Sequence, residues 1–309
     1  MVNIYKINQK ALLKLNEIEP SSWIFIQQPD ECDFTILKNV FELPAAVLDE
    51  IPDPDEMGRI EIEDNYHLFL LRVPIKRQNS DVIFKTAPLW FIFFKEQVLT
   101  ICTEELDYMF PVFSRSIKEF PYTDRANLFL NIYLEILEYF QNYLRKINEI
   151  TLFTEKDLKD SIRKNIFMRI MQLEKSLVYF TTALKSNERV LYKVLRMETR
   201  QDWKIDEDLK DQVQLEHNQA VEMTNIYSNI LSNMVNTFGS VITSNLNSVM
   251  TRLTIISLVL MVPTLIASIY GMNLVLPLEK NPFGFLIITG SALILTVATF
   301  IFFKIRKYF

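Results

Sequence analysis

Hydrophobic and polar residues follow three different patterns along this chain, and the first pattern extends to about Phe113. In this part, runs of aromatic and branched apolar residues are bounded by Pro, Asp and Asn, which is typical of strands. The runs are Trp23–Ile26, Tyr66–Val73 and Leu89–Phe94. Asp30 is the predicted N-cap of a helix that continues to Val40, and Ala45–Ile51 is predicted to be a second short helix. We therefore predict an α/β domain whose aromatic side chains form the core of a sheet.

The second pattern begins at Pro121, where apolar residues start to recur at steps of three and four, the period of an α-helix. The recurring residues are Leu128, Ile132, Ile136, Tyr139, Tyr143 and Ile147. A second helical stretch is predicted from Lys156 to about Thr199, and Gln201–Glu207 is a polar break. After the break, one helix is predicted from about Asp208 to Tyr270, on the order of 100 Å long at ~1.5 Å per residue. Such a helix needs packing partners along its length, because an isolated polar helix buries too little surface.

The third pattern consists of two apolar stretches without any charged residue, Leu253–Leu278 and Asn281–Phe303. Each is close to or longer than the ~20 residues that a bilayer core requires. We therefore predict two transmembrane helices at the C-terminal end of the chain.

Basic residues flank these two stretches on the sides away from the connector between them. They are Arg252, Lys304, Arg306 and Lys307, whereas the connector holds only Glu279 and Lys280. Because basic residues are retained on the cytoplasmic side, we expect a multi-pass plasma-membrane protein with both termini in the cytoplasm. Cys32 and Cys102 then lie in a reducing compartment and are expected to be buried free thiols.

Composition argues against several classes of function. The chain has two histidines, His67 and His217, and no Cys/His cluster, so a zinc centre has little support. No nucleophile–base pair or phosphate-binding loop is present, so we expect neither an enzyme nor an organic cofactor. A pI near 5.3 disfavours nucleic-acid binding.

The long helix carries no charge between Glu222 and Arg252, yet this segment is rich in small polar residues. Steps of three and four define a polar seam consisting of Asn229, Asn233, Asn236, Ser240, Thr243, Asn247, Met250, Thr254, Ser257, Met261, Thr264 and Ser268. One interpretation is a coiled-coil interface whose register is set by Asn. The other is the wall of an aqueous pore, in which amide and hydroxyl oxygens face hydrated ions. Within a bilayer the second gains weight, since a polar stripe there is costly unless it faces protein or water.

A short motif ends the first apolar stretch: Tyr270-Gly271-Met272-Asn273. It resembles the Y-G-M-N signature of the CorA family of magnesium channels, which also follows the first of two C-terminal transmembrane helices. Asn245–Ile256, together with Met261 and Pro263, is similar to that family's pore-helix entry. Asp55–Pro74 resembles its N-terminal hairpin.

The resemblance implies an α+β membrane protein that assembles as a funnel-shaped homopentamer. The expected parts are a cytoplasmic α/β domain (1–120), a helical stalk (121–248), a pore-lining transmembrane helix (249–272), an extracellular loop (273–282), a second transmembrane helix (283–303) and a basic cytoplasmic tail (304–309). The implied function is a divalent-cation channel that conducts Mg²⁺, and also Co²⁺ or Ni²⁺, into the cytoplasm. Intracellular Mg²⁺ would gate it. A related zinc transporter and a two-span receptor or scaffold without transport are the alternatives.

The resemblance also implies roles for particular residues. The selectivity filter would be Gly271, Met272 and Asn273, where a ring of Asn273 amides recognises hydrated Mg²⁺ without stripping its water. Taken alone, Asn273 is equally a helix C-cap residue. The pore-lining residues would be Asn236, Asn247, Met250, Leu253, Thr254, Met261 and Thr264, with the Met and Leu positions as an apolar constriction.

The remaining implied roles concern charged residues. Arg252, Lys304, Arg306 and Lys307 would form a basic collar, although each is equally an ordinary topology anchor. Asp49, Glu50 and Asp211 would bind regulatory Mg²⁺ between neighbouring subunits. Gln212 and Asn236 stand where the family often has acidic residues, so we expect sensing to be weaker or moved.

Overall fold

The computed structural model describes residues 2–8, 11–77, 82–160, 164–197, 203–272, 277–278 and 281–306. Contacts between residues divide the chain into two compact units. Unit 1 is Met1–Val235 and unit 2 is Asn236–Phe309.

Unit 1 contains a seven-stranded mixed sheet with the strand order β2-β1-β3-β7-β6-β5-β4. The strands are β1 (Val2–Asn8), β2 (Ala11–Leu15), β3 (Ser22–Gln27), β4 (Arg59–Ile62), β5 (Tyr66–Lys76), β6 (Phe84–Phe94) and β7 (Gln97–Cys102). Neighbouring strands are antiparallel except β3 and β7, which are parallel. The three apolar runs are thus confirmed as β3, β5 and β6, and the predicted hairpin is confirmed as β4–β5.

Seven helices are present in the described part of the chain. They are α1 (Glu31–Asn39), α2 (Ala45–Glu50), α3 (Met109–Glu119), α4 (Arg125–Asp160), α5 (Lys164–Arg196), α6 (Glu207–Tyr270) and α7 (Gly284–Ile305). The predicted cap of α1 is confirmed, because the Asp30 carboxylate accepts a bond from the Asp33 amide at 2.9 Å and the Asp33 carboxylate returns it at 3.1 Å. The predicted start of a helix at Lys156 is wrong, since α4 continues to Asp160. No Gly or Pro near this point marks the boundary in the sequence.

Each face of the sheet packs against helices, because side chains alternate between the two faces along a strand. Ile24, Leu68 and Trp90 belong to the core that packs against α1 and α2. Trp23 and Phe91 belong to the larger core, which includes residues of α3, α4, α5 and α6. Within it, Trp23 stacks on Phe113 with ring centroids 3.9 Å apart and donates a hydrogen bond to Thr100 at 2.9 Å. The aromatic residues of this domain therefore form a sheet core, as predicted.

The two cysteines lie in different environments, and both are free thiols. Cys102, at the end of β7, is buried, and burial raises the pKa of its thiol to about 12. The prediction of a second buried thiol is wrong, because Cys32 is exposed. On α1 it lies away from Leu37, which faces the core.

Unit 2 consists of the second half of α6 and α7. Both helices are long and apolar enough to cross a membrane, and only 6% of the most apolar window of each is buried. The C-terminal bound of α6 agrees with the predicted Tyr270. Pro263 lies inside α6, where its ring leaves the carbonyl of Val259 without the usual helical bond.

Candidate functional site

The polar seam follows one face of α6 within unit 2. At about 100° per residue, its positions from Asn236 to Ser268 fall within an arc of roughly 120°. Leu253 lies at the edge of this arc, and every predicted pore-lining residue is exposed: Asn236, Asn247, Met250, Leu253, Thr254, Met261 and Thr264. The exposed fractions of Met250 and Met261 are 62% and 61%. The structure thus brings the predicted pore residues onto one continuous uncovered face.

The opposite face of α6 turns toward α7. A cavity of about 710 Å³ is lined by Pro263, Ile266 and Tyr270 of α6 and by Phe285 and Ile288 of α7. On the helical wheel, the α6 residues of this cavity, which also include Ala267, lie roughly 120–180° from the centre of the seam. The part of α6 in unit 2 therefore has an apolar face toward α7 and, on the opposite side, an uncovered face that carries the polar seam.

Hydroxyl groups on the seam present acceptors rather than donors. The Thr254 hydroxyl donates to the carbonyl oxygen of Met250, and the Thr264 hydroxyl donates to that of Leu260, both at 2.8 Å. Because each hydroxyl proton is used inside the helix, the oxygen lone pairs remain free to accept a hydrogen bond. Water bound to a cation points its hydrogens outward, so this arrangement suits a hydrated cation.

The described part of the filter motif continues the end of α6. The Gly271 amide donates to the Ala267 carbonyl at 2.9 Å, and the Met272 amide donates to that of Ile269 at 3.3 Å. Met272 is exposed. Asn273 lies outside the described residues, so the predicted ring of amides stays a prediction.

The predicted basic collar is spread over both helices. Arg252, Lys304 and Arg306 are exposed, and the Arg306 guanidinium lies 5.8 Å from the centroid of the Phe302 ring. On the helical wheel, Arg252 is about 180° from the seam. It therefore belongs to the side of α6 away from the predicted pore. Lys307 lies outside the described residues.

The predicted regulatory carboxylates lie on two elements of unit 1. Asp49 and Glu50 are on α2, and Asp211 is an exposed residue of α6. The described residues contain no group of three or more His, Cys, Asp or Glu side chains that could hold a metal ion. One chain therefore does not bring Asp49, Glu50 and Asp211 together as a metal site.

Glu50 has a partner that sequence reasoning missed, the guanidinium of Arg59. Arg59 forms ion pairs with Glu50 and Glu56 and a third with Glu61 at 2.5 Å, and it lies 5.1 Å from the centroid of the Trp90 ring. Burial alone would lower the pKa of Arg59, but Glu61 and Glu50 outweigh it and the pKa is raised. Asp49, in contrast, is exposed.

Buried polar contacts join the layers of unit 1, and these too were not predicted from the sequence. The Arg72 amide donates to the Asn187 side-chain oxygen at 2.8 Å, and the Asn187 amide nitrogen returns a bond to the Arg72 carbonyl at 2.7 Å. Tyr133 and His217 share a hydrogen bond of 2.8 Å between α4 and α6. Burial lowers the pKa of His217. These contacts fasten β5 to α5 and α4 to α6.

Comparison with known proteins agrees with this architecture. Residues 19–307 match the family described as CorA-like Mg²⁺ transporter protein. The chain is similar to the cobalt/magnesium transport protein CorA of Methanocaldococcus jannaschii, with 26% identity over 291 residues that cover 91% of this chain and 89% of that protein. It is also similar to the magnesium transport protein CorA of Helicobacter pylori, with 25% identity covering 74% of this chain and 72% of that protein.

Solved structures show the same fold. The complete structure of the CorA magnesium transporter from Methanocaldococcus jannaschii has a TM-score of 0.80 and 22% identity, and the match covers 100% of this chain and 99% of that one. The cytoplasmic domain of ZntB from Vibrio parahaemolyticus has a TM-score of 0.57 and 13% identity, and the match covers 79% of this chain and 97% of that one. The predicted combination of an α/β domain, a long helix and two C-terminal apolar helices is thereby confirmed.

Proposed function

This chain belongs to the family of CorA-like Mg²⁺ transporter proteins, and we propose that it conducts Mg²⁺ into the cytoplasm through a homopentameric pore. As a member of this family, it is a divalent-cation transporter in the membrane and not an enzyme. The observation that carries the proposal is the uncovered polar face of α6, which lies opposite the face toward α7. In a ring of five chains, five such faces would surround the axis.

The mechanism we propose keeps the ion hydrated at the outer end. Mg²⁺ loses water reluctantly, so neutral oxygens that accept hydrogen bonds from its water shell select it without dehydration. Gly271, Met272 and Asn273 would form this mouth. Asn236, Asn247, Thr254 and Thr264 would continue the acceptor path along the pore.

Apolar side chains interrupt the acceptor path and would form the gate. Met250, Leu253 and Met261 are all exposed in the single chain, so in a ring they would face one another or the axis. A narrow apolar constriction closes a pore by excluding water, without any need for a plug. Widening the ring by small movements of the chains would wet the constriction and admit the hydrated ion.

Charged residues would orient and regulate this pore. The basic residues Arg252, Lys304, Arg306 and Lys307 favour a cytoplasmic location for both termini in the plasma membrane. Mg²⁺ bound between neighbouring chains by Asp49, Glu50 and Asp211 would hold the closed state, because adjacent carboxylates repel when no cation lies between them. Because Glu50 already forms an ion pair with Arg59, we expect it to contribute less to this role than Asp49 and Asp211.

An ion-flux experiment tests the proposal directly. The full chain is reconstituted into liposomes, and uptake of Mg²⁺, Co²⁺ and Zn²⁺ is followed with an enclosed dye. We expect Mg²⁺ and Co²⁺ to enter faster than Zn²⁺. Uptake of Zn²⁺ alone would favour the zinc transporter, and an assembled oligomer that passes none of the three ions would favour the receptor or scaffold.

A further inference from the structure

Leu278 and Asn281 take part in a turn next to the start of α7. Leu278 has a φ of 72°, in the left-handed region that residues with a Cβ atom rarely adopt. Its carbonyl oxygen accepts a hydrogen bond from the Asn281 amide at 3.1 Å, and the Asn281 carbonyl accepts one from the Gly284 amide at 2.8 Å. The Asn281 side-chain oxygen accepts a third from the Phe283 amide at 3.0 Å. These bonds tie the end of the connector to the first turn of α7.

Gly284 lies in direct contact with this turn. A Cβ atom built at Gly284 would overlap the carbonyl oxygen of Leu278 and lie 3.4 Å from its carbonyl carbon. The obstructing atom is backbone and is held by Asn281, so it cannot move aside as a flexible side chain would. At Gly290, in the same helix, a Cβ atom would meet nothing within 4 Å. The need for glycine is therefore specific to position 284.

We propose that Gly284 is a positioning residue for the outer mouth of the pore. By admitting the Leu278 carbonyl against the first turn of α7, it sets the point at which the connector leaves that helix. Leu278 follows Asn273 by only five positions in the sequence, so we expect a displacement at Leu278 to affect the filter. This inference rests on the proposed role of the filter residues.

The end of α6 and the start of α7, which flank the connector, line the same cavity. Leu278, Asn281 and Gly284 line the cavity of about 710 Å³, together with Gly271 and Met272 at the end of α6. Residues directly before and after the short connector thus line one cavity. We expect a shift of Leu278 to change the distance that the residues between Met272 and Leu278 have to span.

The test compares Gly284→Ala with Gly290→Ala in the full chain reconstituted into liposomes. We expect both variants to assemble as the unmodified protein does. Gly284→Ala should lower the preference for Mg²⁺ over Na⁺ by at least about tenfold, because functional groups must be held within ~0.5 Å of their working geometry. It should also speed hydrogen exchange of the Asn281 and Gly284 amides. Gly290→Ala should change neither quantity.

One further variant, Asn273→Ala, separates the possible causes of failure. Unchanged ion preference and amide exchange in Gly284→Ala would overturn the proposal. If Asn273→Ala alters ion preference whereas Gly284→Ala speeds exchange but leaves preference intact, the positioning role is wrong and the filter stands. If Asn273→Ala has no effect, the filter assignment fails, and faster exchange in Gly284→Ala still supports the turn contact.

A variant that does not assemble is also informative. Glycine adopts a positive φ without strain, so Leu278→Gly leaves the turn free to adjust. If Gly284→Ala fails to assemble, the double change Gly284→Ala with Leu278→Gly should restore assembly. No restoration would show that the Leu278 carbonyl is not the obstacle and would overturn the proposal.

Discussion

Phenylalanine occupies opposite environments in the two units. Phe91, in the sheet of unit 1, is 1% exposed and packs edge-on against Phe93 with ring centroids 4.9 Å apart. Phe285, in α7 of unit 2, is 83% exposed. In unit 1, apolar residues bury one another away from water, whereas in unit 2 they cover the outside of helices that are suited to lipid and to other chains. Phenylalanine therefore stabilises the folded core in unit 1, whereas in unit 2 it lies on a surface suited to lipid or to other chains.

Asparagine also occupies different environments in the two units, buried and hydrogen-bonded in unit 1 and exposed in unit 2. In unit 1 the buried Asn187 is fully engaged with the backbone of Arg72. In unit 2, Asn236 and Asn247 stand exposed on the seam. In unit 1 a side-chain amide connects two layers of the fold, whereas in unit 2 the side-chain amides remain available to solvent, ions or other chains. Of the five predictions that follow, one compares the two units, one compares the filter with the far face of α6, one tests the apolar positions of the seam, and two concern charged groups of unit 1.

The largest expected effect comes from truncating phenylalanine in the two units. Phe91→Ala should lower the free energy of unfolding by about 3–5 kcal/mol, because it leaves a cavity in a packed core. Phe285→Ala should change it by less than ~0.5 kcal/mol, as surface changes usually do. Thermal unfolding of both variants in detergent measures the difference. Equal destabilisation would show that unit 2 has a core of its own.

Next in size is the loss of the proposed filter. Asn273→Ala should reduce Mg²⁺ uptake by roughly tenfold or more, because it removes the oxygens that would accept hydrogen bonds from the water shell of the ion. Asn245→Ala is the matched control, since Asn245 is an exposed residue of α6 that lies about 160° from the seam. Uptake and oligomer size are measured for both. Wild-type ion preference in Asn273→Ala would remove this residue from the filter.

The apolar positions of the seam should alter gating when they are made polar. Met250→Asp or Met261→Asp should raise conductance several-fold in the closed condition, because a charged ring wets the constriction. Met250→Leu and Met261→Leu keep the site apolar and should behave as the unmodified protein. Single-channel or liposome flux distinguishes them. If the Asp variants assemble and conduct normally, the seam is assigned to the wrong face.

Regulation by Mg²⁺ should depend on exposed carboxylates more than on paired ones. Asp49→Asn combined with Asp211→Asn should raise the Mg²⁺ concentration needed for protease protection by about tenfold, or ~1.4 kcal/mol of binding. Glu50→Gln should have a smaller effect, because Glu50 is already paired with Arg59. Protection that stays Mg²⁺-dependent in a triple variant would locate the sensor elsewhere.

The smallest expected effect is a pH dependence of unit 1. Burial lowers the pKa of His217 in the folded protein below its ordinary value of 6.5. The unfolded chain therefore binds more protons as the pH falls through 6.5, and the folded state loses stability. His217→Gln should reduce this loss between pH 7 and 5, and His67→Gln serves as the control. An identical pH profile in His217→Gln would contradict the assignment.

Sequence periodicity predicted the elements whose apolar residues recur regularly. The α6 helix and the cap of α1 follow from local patterns, and the arc of the seam follows from steps of three and four. Helix α3 was missed, because Phe110, Val112 and Phe113 continue the apolar runs of the preceding strands, while Pro111 lies in its first turn, where helices tolerate it. The boundary of α4 was misplaced because its charged end continues the helix without a break signal.

The candidate site was predictable only where a single helix determines it. Which side of α6 carries the polar seam is a local property, so the residues proposed to line the pore could be selected from the sequence. The requirement for Gly284 depends on a carbonyl six positions earlier that folds back over the helix start. The pairing of Glu50 with Arg59 likewise joins α2 to β4. Neither contact produces a regular pattern of residues from which it could be predicted.

Pairing with Arg59 affects how its three carboxylates would respond to the concentration of cations in solution. A guanidinium linked to them by the same chain acts as a counter-ion at an effective concentration of ~mM or above, whatever the surrounding solution contains. Dilution removes a bound ion from a site but does not remove an attached one. A dissolved cation would therefore have to compete with Arg59 for Glu50, Glu56 and Glu61. We therefore expect any response to changing ion levels to depend more on carboxylates that are not paired in this way.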